Sequence, residues 1–146
     1  VEPLATVLGK LGTDRAWVIH GLDGLDEITT TGPTKVAALE SGKVRTFEIT
    51  PEDAGLPTAR PEQLKGGDAE ANAKALRDLL AGAKGPYRDI VLMNAAAALI
   101  VAGKANDLRA GAEMAAEMID SGAAARVLGR LVEITNTPLS AEEVQA

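Results

Sequence analysis

Apolar residues recur along this chain in two periods, and the switches between them divide it into elements. Leu4, Val7, Leu8 and Leu11 repeat at helical spacing behind Pro3, and Gly12 ends the run. Proline suits the first turn and glycine the stop, so residues 3–11 are predicted as a short helix. Trp17, Val18 and Ile19 are β-formers in an unbroken apolar run. That pattern predicts a strand over residues 15–20, covered on both faces. Residues 34–39 and 44–49 read as an antiparallel hairpin turned at Ser41-Gly42, and residues 29–31 as a short extended piece before Gly32-Pro33.

The second half switches to the helical period. Thr50-Pro51-Glu52-Asp53 starts a helix that Gly55 stops after one turn. Residues 57–67 read as loop. Asp68 is placed to cap a helix over 69–80, and Asp107 another over 108–120; a last helix is expected over 123–134. Residues 87–101 are apolar nearly all round from Ile90 onward, which predicts the most buried helix. Asn94 lies inside it and is expected to bond a neighbouring loop, because a buried amide without a partner is costly. Met93, Met114 and Met118 read as core packing.

These elements define an α/β class. The expected sheet is partial and mixed, one buried strand plus the hairpin, packed with about four longer helices. Residues 1–136 form the domain and residues 137–146 an acidic tail. A strand buried on both faces needs neighbours for its backbone groups, and parallel partners for residues 16–20 are missing. The sheet therefore reads as incomplete, an expectation that a start at Val1 rather than Met shares.

Composition narrows the function. With 2% aromatic residues the core has to be built from Ala, Leu, Val and Ile, which implies closely approaching helices. The net charge of −6 argues against a nucleic-acid partner and against an anionic membrane surface. The absence of cysteine excludes disulfide and thiolate chemistry and suits a reducing, cytoplasmic location. No signal peptide is visible at the start, and the longest apolar run, residues 90–102, is too short to span a bilayer.

The candidate chemistry lies just after the first strand. Gly21 and Gly24 break the chain, and Asp23, Asp26 and Glu27 follow one another closely. In open α/β sheets ligands sit beyond the carboxyl ends of strands. Adjacent carboxylates there suit Mg²⁺, which binds one or two carboxylates, substrate phosphates and water. The same three acids also fit a solvated edge or a helix start. His20, the only histidine, stands beside them and reads either as a proton donor or phosphate-orienting group, or as a structural hydrogen-bonding residue. Lys35, Lys43 and Arg45 read as a charged sheet edge.

At these residues the chain resembles a known family. His20-Gly21-Leu22-Asp23-Gly24-Leu25-Asp26-Glu27 is similar to the HGxDGLDE motif of anthranilate phosphoribosyltransferases. Thr50 to Leu56 is similar to that family's TPEDFGL, with Ala54 for Phe. Gly66-Gly67-Asp68 with Asn72-Ala73 resembles its GGDxxENA, with Ala71 for Glu. Residues 88–96 resemble its RDxVLLNAA helix and residues 119–124 its IDSGxA.

The resemblance implies the carboxyl-terminal part of the catalytic α/β domain of a phosphoribosyltransferase, a fold shared with nucleoside phosphorylases. It implies transfer of phosphoribosyl from phosphoribosyl pyrophosphate to anthranilate, with release of pyrophosphate, in tryptophan biosynthesis. Of the family's functional residues only the acidic pair carries over, onto Asp26 and Glu27 as Mg²⁺ ligands. The family's GTGGD loop, NxST turn and KHGN stretch, which bind phosphoribosyl pyrophosphate, are absent from this sequence, and Gly66-Gly67-Asp68 is not that phosphate loop. No catalytic or substrate-binding residue is therefore assigned. The segment alone is expected to be inactive, and the whole enzyme to be a cytoplasmic homodimer. The alternatives are a related nucleoside phosphorylase and a non-catalytic α/β module for assembly or binding.

Overall fold

The structure, a computed structural model, describes residues 1–137. Helix α1 spans Glu2–Lys10. Three strands follow: β1 Arg15–Gly21, β2 Thr34–Glu40 and β3 Lys43–Ile49. Two short 3₁₀ turns, Pro51–Ala54 and Pro61–Gln63, lead to α2 Ala69–Leu80, α3 Pro86–Val101, α4 Leu108–Asp120 and α5 Ala123–Asn136. The expected acidic tail lies, beyond Thr137, outside the described residues.

The strands form one sheet in the order β1-β2-β3, antiparallel at both pairings. Ser41 and Gly42 both take positive φ, 49° and 74°, as a two-residue hairpin turn demands. The α/β class holds, with two differences from the expected sheet. It is antiparallel throughout the described residues rather than mixed, because residues 15–21 pair with β2 in full register. The buried strand is β2, not β1: Val36 to Leu39 are all buried, whereas Ala16 to Ile19 are half-buried. β2 has a neighbour on each side and a layer over each face; β1 has one strand neighbour here.

Helix α1 covers one face of the sheet and touches all three strands. Ala5 is fully buried there, and Gly9 lets Leu39 approach so closely that a Cβ would sit 3.1 Å from its methyl. The other face carries Trp17, Ile19, Val36, Ala38, Phe47 and Ile49 into the main core, with Met93 and Ala96 of α3 and Ala112 and Ala115 of α4. Trp17 meets Phe47 edge to face at 5.5 Å, and the Arg45 guanidinium lies 4.5 Å from the Phe47 ring centre.

The caps at Asp68 and Asp107 form as expected, each carboxylate accepting a first-turn amide, from Ala71 at 2.9 Å and Ala110 at 2.8 Å. α3 is the most buried helix, as its pattern predicted. The methionines divide. Met93 is fully buried, but Met114 and Met118 are exposed on α4, whose buried stripe is instead Gly111, Ala112, Ala115 and Ile119. Residues 29–31 form no strand; they are a bend of the loop described next, buried at Thr29 and Thr30 and half-buried at Thr31. No helix of the described residues is long and apolar enough to cross a membrane.

Candidate functional site

The acidic loop begins where β1 ends. The Gly21 amide donates to the Leu25 carbonyl at 2.9 Å and the Gly24 amide to the Gly21 carbonyl at 2.9 Å, which folds residues 21–25 into a tight turn. A side chain at Gly21 would be impossible without rearrangement: its Cβ would lie 2.6 Å from Asp23 Oδ1 and 3.3 Å from the Glu27 carbonyl. The Leu22 amide donates to the Pro33 carbonyl at 3.0 Å and ties the turn to the approach of β2.

Asp23 is spent inside this loop. Its carboxylate accepts from the Thr29 hydroxyl at 2.6 Å, from the Thr31 hydroxyl and from the Leu25 amide at 3.2 Å. Partial burial pushes its pKa up, but the two hydroxyls and the amide together outweigh that and hold the carboxyl below its ordinary range. Thr29 is itself fixed, its amide donating to Thr34 Oγ1 at 3.0 Å and its hydroxyl oxygen accepting the Thr31 amide at 2.9 Å. Sequence reasoning missed this knot; its one signal was the unbroken Thr29-Thr30-Thr31 string after the acids.

Ile28 anchors the far side. It is buried, and Asn94 of α3 holds both of its backbone groups: the Ile28 amide donates to Oδ1 at 3.0 Å and Nδ2 donates to the Ile28 carbonyl at 2.8 Å. The loop partner expected for Asn94 is thus the acidic loop itself.

Asp26 and Glu27 fall between these anchors. Both are exposed, and neither enters an ion pair of the described residues. The loop leaves both carboxylates in solvent without a partner among the described residues, whereas the carboxylate of Asp23, also exposed, is taken up by Thr29, Thr31 and the Leu25 amide. No group of three metal-binding side chains forms among the described residues. Two free carboxylates on an anchored loop fit the donor set of Mg²⁺, whose other positions go to water and phosphate; they do not fit a metal that needs an all-protein cage. His20 is exposed at the end of β1, opposite Lys35 in the strand register.

Asp23, Leu25 and Thr31 form one wall of a cleft of about 450 Å³ whose other wall is Pro61, Glu62, Leu64 and Lys65. A second cleft of about 520 Å³ shares Leu64 and Lys65 and runs to Gly67, Asn72 and Tyr87. Gly66-Gly67 here is a helix start, not a phosphate cradle. The Gly67 amide donates to Asn72 Oδ1 at 2.9 Å and Asn72 Nδ2 returns a bond to the Gly67 carbonyl at 3.0 Å. A separate cleft of about 320 Å³, lined by Arg15, Arg45 and Asn106, sits at the opposite end of β1 and does not touch the acidic loop.

Comparison with known proteins places this loop and sheet. The model of the glycosyl transferase family, a/b domain, matches residues 1–125, and the chain belongs to that family. Within it the chain is similar to proteins named anthranilate phosphoribosyltransferase. It is 65% identical to that of Rhodospirillum rubrum over 140 residues, covering 96% of this chain and 40% of the relative. It is 64% identical to that of Azospirillum brasilense over 146 residues, covering 100% of this chain and 41% of the relative. The crystal structure of anthranilate phosphoribosyltransferase from Thermus thermophilus superimposes with a TM-score of 0.82 at 40% identity, over 92% of this chain and 40% of that one. The Saccharomyces cerevisiae enzyme in complex with PRPP and Mg gives 0.75 at 26% identity, over 82% of this chain and 34% of that one. The chain thus spans about 40% of the length of the curated relatives it matches.

Proposed function

We propose that this chain is the carboxyl-terminal part of the catalytic domain of an anthranilate phosphoribosyltransferase, and that Asp26 and Glu27 bind Mg²⁺ in it. The observation that carries the reading is the display of these two exposed carboxylates between a knotted Asp23 and a clamped Ile28. It occurs in a chain that is 65% identical to an enzyme of that name.

In the reaction, the bond from the sugar's anomeric carbon to pyrophosphate oxygen breaks. A bond to the anthranilate nitrogen forms, and that nitrogen loses a proton. Mg²⁺ supplies electrostatic stabilisation of the leaving pyrophosphate. This chain contributes the loop: Asp26 and Glu27 offer oxygens, Gly21 and Gly24 permit the tight turn that presents them, and Asp23 keeps the turn closed. An acidic protein gains doubly from the metal, which also offsets repulsion between these carboxylates and the phosphates.

The phosphoribosyl pyrophosphate and anthranilate contacts belong to the rest of the enzyme, so the 146-residue chain alone is inactive in this reading. A cytoplasmic homodimer is the corresponding whole. The test is the double substitution Asp26→Ala, Glu27→Ala in the full-length enzyme, assayed for anthranilate-dependent consumption of phosphoribosyl pyrophosphate. Turnover is expected to fall roughly 100-fold or more, the scale of a lost transition-state charge stabiliser. Near-normal turnover at limiting Mg²⁺ would refute the metal role.

A further inference from the structure

We infer that Asn94 is a positioning residue for the metal-binding pair. Through the Ile28 backbone it fixes the conformation in which Glu27 and Asp26 meet the cation. The inference rests on the metal reading above and adds to it a residue on a different element, 66 positions along the chain from the loop it holds.

The geometry is specific. An Asn side chain carries an acceptor oxygen and an NH2 with two donor hydrogens in one plane; the oxygen and one hydrogen match the pair that a β-strand neighbour would offer to one residue, and the second hydrogen is left for another acceptor. Asn94 uses the matching pair on Ile28, the residue immediately after Glu27, at 3.0 and 2.8 Å. Its Nδ2 also donates to the Ile90 carbonyl of its own helix at 2.9 Å, which fixes the amide's orientation. The neighbours of Asn94 on α3 leave it little freedom: Met93 is fully buried, and Ala97 packs in the same core cluster. An Asn inside a helix is otherwise unfavourable, since its side chain competes for backbone bonds. Here that tendency is turned onto another segment.

The consequence follows from the loop's anchoring. The four residues from Gly24 to Glu27 are exposed or half-buried and lie between Asp23, tied by Thr29 and Thr31, and Ile28, tied by Asn94. Loosening one end lets the carboxylates sample other arrangements, and a cation must then order them when it binds. The loss appears as weaker metal affinity rather than as slower chemistry once metal is bound. Groups that orient metal ligands in this way typically change affinity about 10- to 100-fold when removed.

The experiment uses full-length enzyme with Mn²⁺ in the presence of inorganic pyrophosphate. Bound and free Mn²⁺ are separated by electron paramagnetic resonance, and Mg²⁺ activation of turnover is measured in parallel. Asn94→Ala is expected to raise the half-saturating metal concentration about tenfold in both, with kcat at saturating metal close to the parent's. Leu92→Ala, a core truncation on the same helix that leaves the loop bonds in place, is expected to lower Tm and leave metal affinity unchanged. An Asn94→Ala enzyme with unaltered Mn²⁺ binding would overturn the inference, and so would a Leu92→Ala enzyme with an equal loss of affinity. Asp26→Asn with Glu27→Gln separates the two levels. If that pair loses Mn²⁺ and Asn94→Ala does not, the positioning role alone fails. If that pair also binds normally, the metal reading fails and takes the positioning role with it.

Discussion

Gly111 of α4 lies directly on Ala96 of α3, so close that a Cβ on the glycine would stand 2.8 Å from both the Ala96 Cα and Cβ and 3.0 Å from its carbonyl oxygen. The two helices meet backbone to backbone, and this contact closes the core beneath the sheet. Backbone cannot move aside as a flexible side chain can. Gly111→Ala should therefore force α3 and α4 apart and destabilise by about 1–3 kcal/mol, although alanine is the better helix former by about 1 kcal/mol. Urea unfolding of the purified chain checks this; a variant as stable as the parent would show that the helices separate freely.

Thr29 and Thr30 are neighbours, both fully buried, and should answer oppositely to the same substitution. The Thr29 hydroxyl donates to Asp23 and accepts from the Thr31 amide. Thr29→Val leaves the Thr31 amide without its acceptor and takes one of three donors from Asp23, and should cost about 1–3 kcal/mol. The Thr30 hydroxyl is buried with no partner among the described residues. Thr30→Val removes an unsatisfied group and keeps the branched shape, so stability should hold or rise. Paired denaturation curves decide it, and equal losses in the two variants would contradict the bonding described.

The legibility of the fold follows the range of the interactions that made it. Helix and strand ends rest on local chemistry, so the caps at Asp68 and Asp107 and the turn at Ser41-Gly42 could be read directly. The demand of a buried amide for a partner exposed the role of Asn94, though not that its partner was Ile28. What stayed hidden depends on distant packing. Met114 and Met118 look like core residues by hydrophobicity, but the buried face of α4 is chosen by how near α3 can come, and Gly111 and Ala115 win that face. β1 looks like the buried strand by its apolar run, but burial went to β2, which sits between two strands and two layers. In the site, Asp26 and Glu27 were legible as neighbouring acids on the loop after β1. The bonding of Asp23 was not, because it depends on hydroxyls six and eight residues away in a loop without periodicity.

Two carboxylates should bend the pH dependence of stability in opposite directions. Burial raises Asp23 but its three donors outweigh it, so its folded pKa lies below the unfolded value. Its contribution is present above the unfolded pKa of about 3.9 and is lost as pH falls through the folded value. Asp89, in the first turn of α3, is raised by burial, with the nearby Arg88 charge offsetting part of that. Its contribution is present below the unfolded pKa and is lost as pH rises through the folded one. Asp23→Asn should therefore destabilise at pH 7 with a deficit that shrinks in acid. Asp89→Asn should stabilise at pH 7 with an advantage that vanishes in acid. Denaturant midpoints of the three proteins between pH 3 and 7 test the crossing, and parallel curves would refute both assignments.

The last prediction concerns how the start of α3 is tied to the end of α4. Arg88 is buried, yet its Nη2 donates to Asp120 Oδ2 at 2.8 Å and to the Ala116 carbonyl at 3.4 Å, while Nη1 has no partner among the described residues. Lys84 reaches the same carboxylate from solvent at 3.1 Å. The Arg88 and Lys84 bonds hold the Asp120 carboxyl below its ordinary range. The two cations are not equivalent. Lys84 is exposed and strongly hydrated, and its exposed pair is screened by salt. Arg88 has already given up its water, so loss of its carboxylate leaves a buried charge without compensation. Asp120→Ala should therefore lower Tm well beyond Lys84→Ala, and the difference should persist in 1 M salt, where the Lys84 contribution is largely screened. Arg88→Met, which fills the space without the charge, should recover much of the loss when combined with Asp120→Ala. Thermal unfolding of the single variants and of the double variant measures this, and a double variant no more stable than Asp120→Ala alone would show that the buried charge is not what makes that substitution costly.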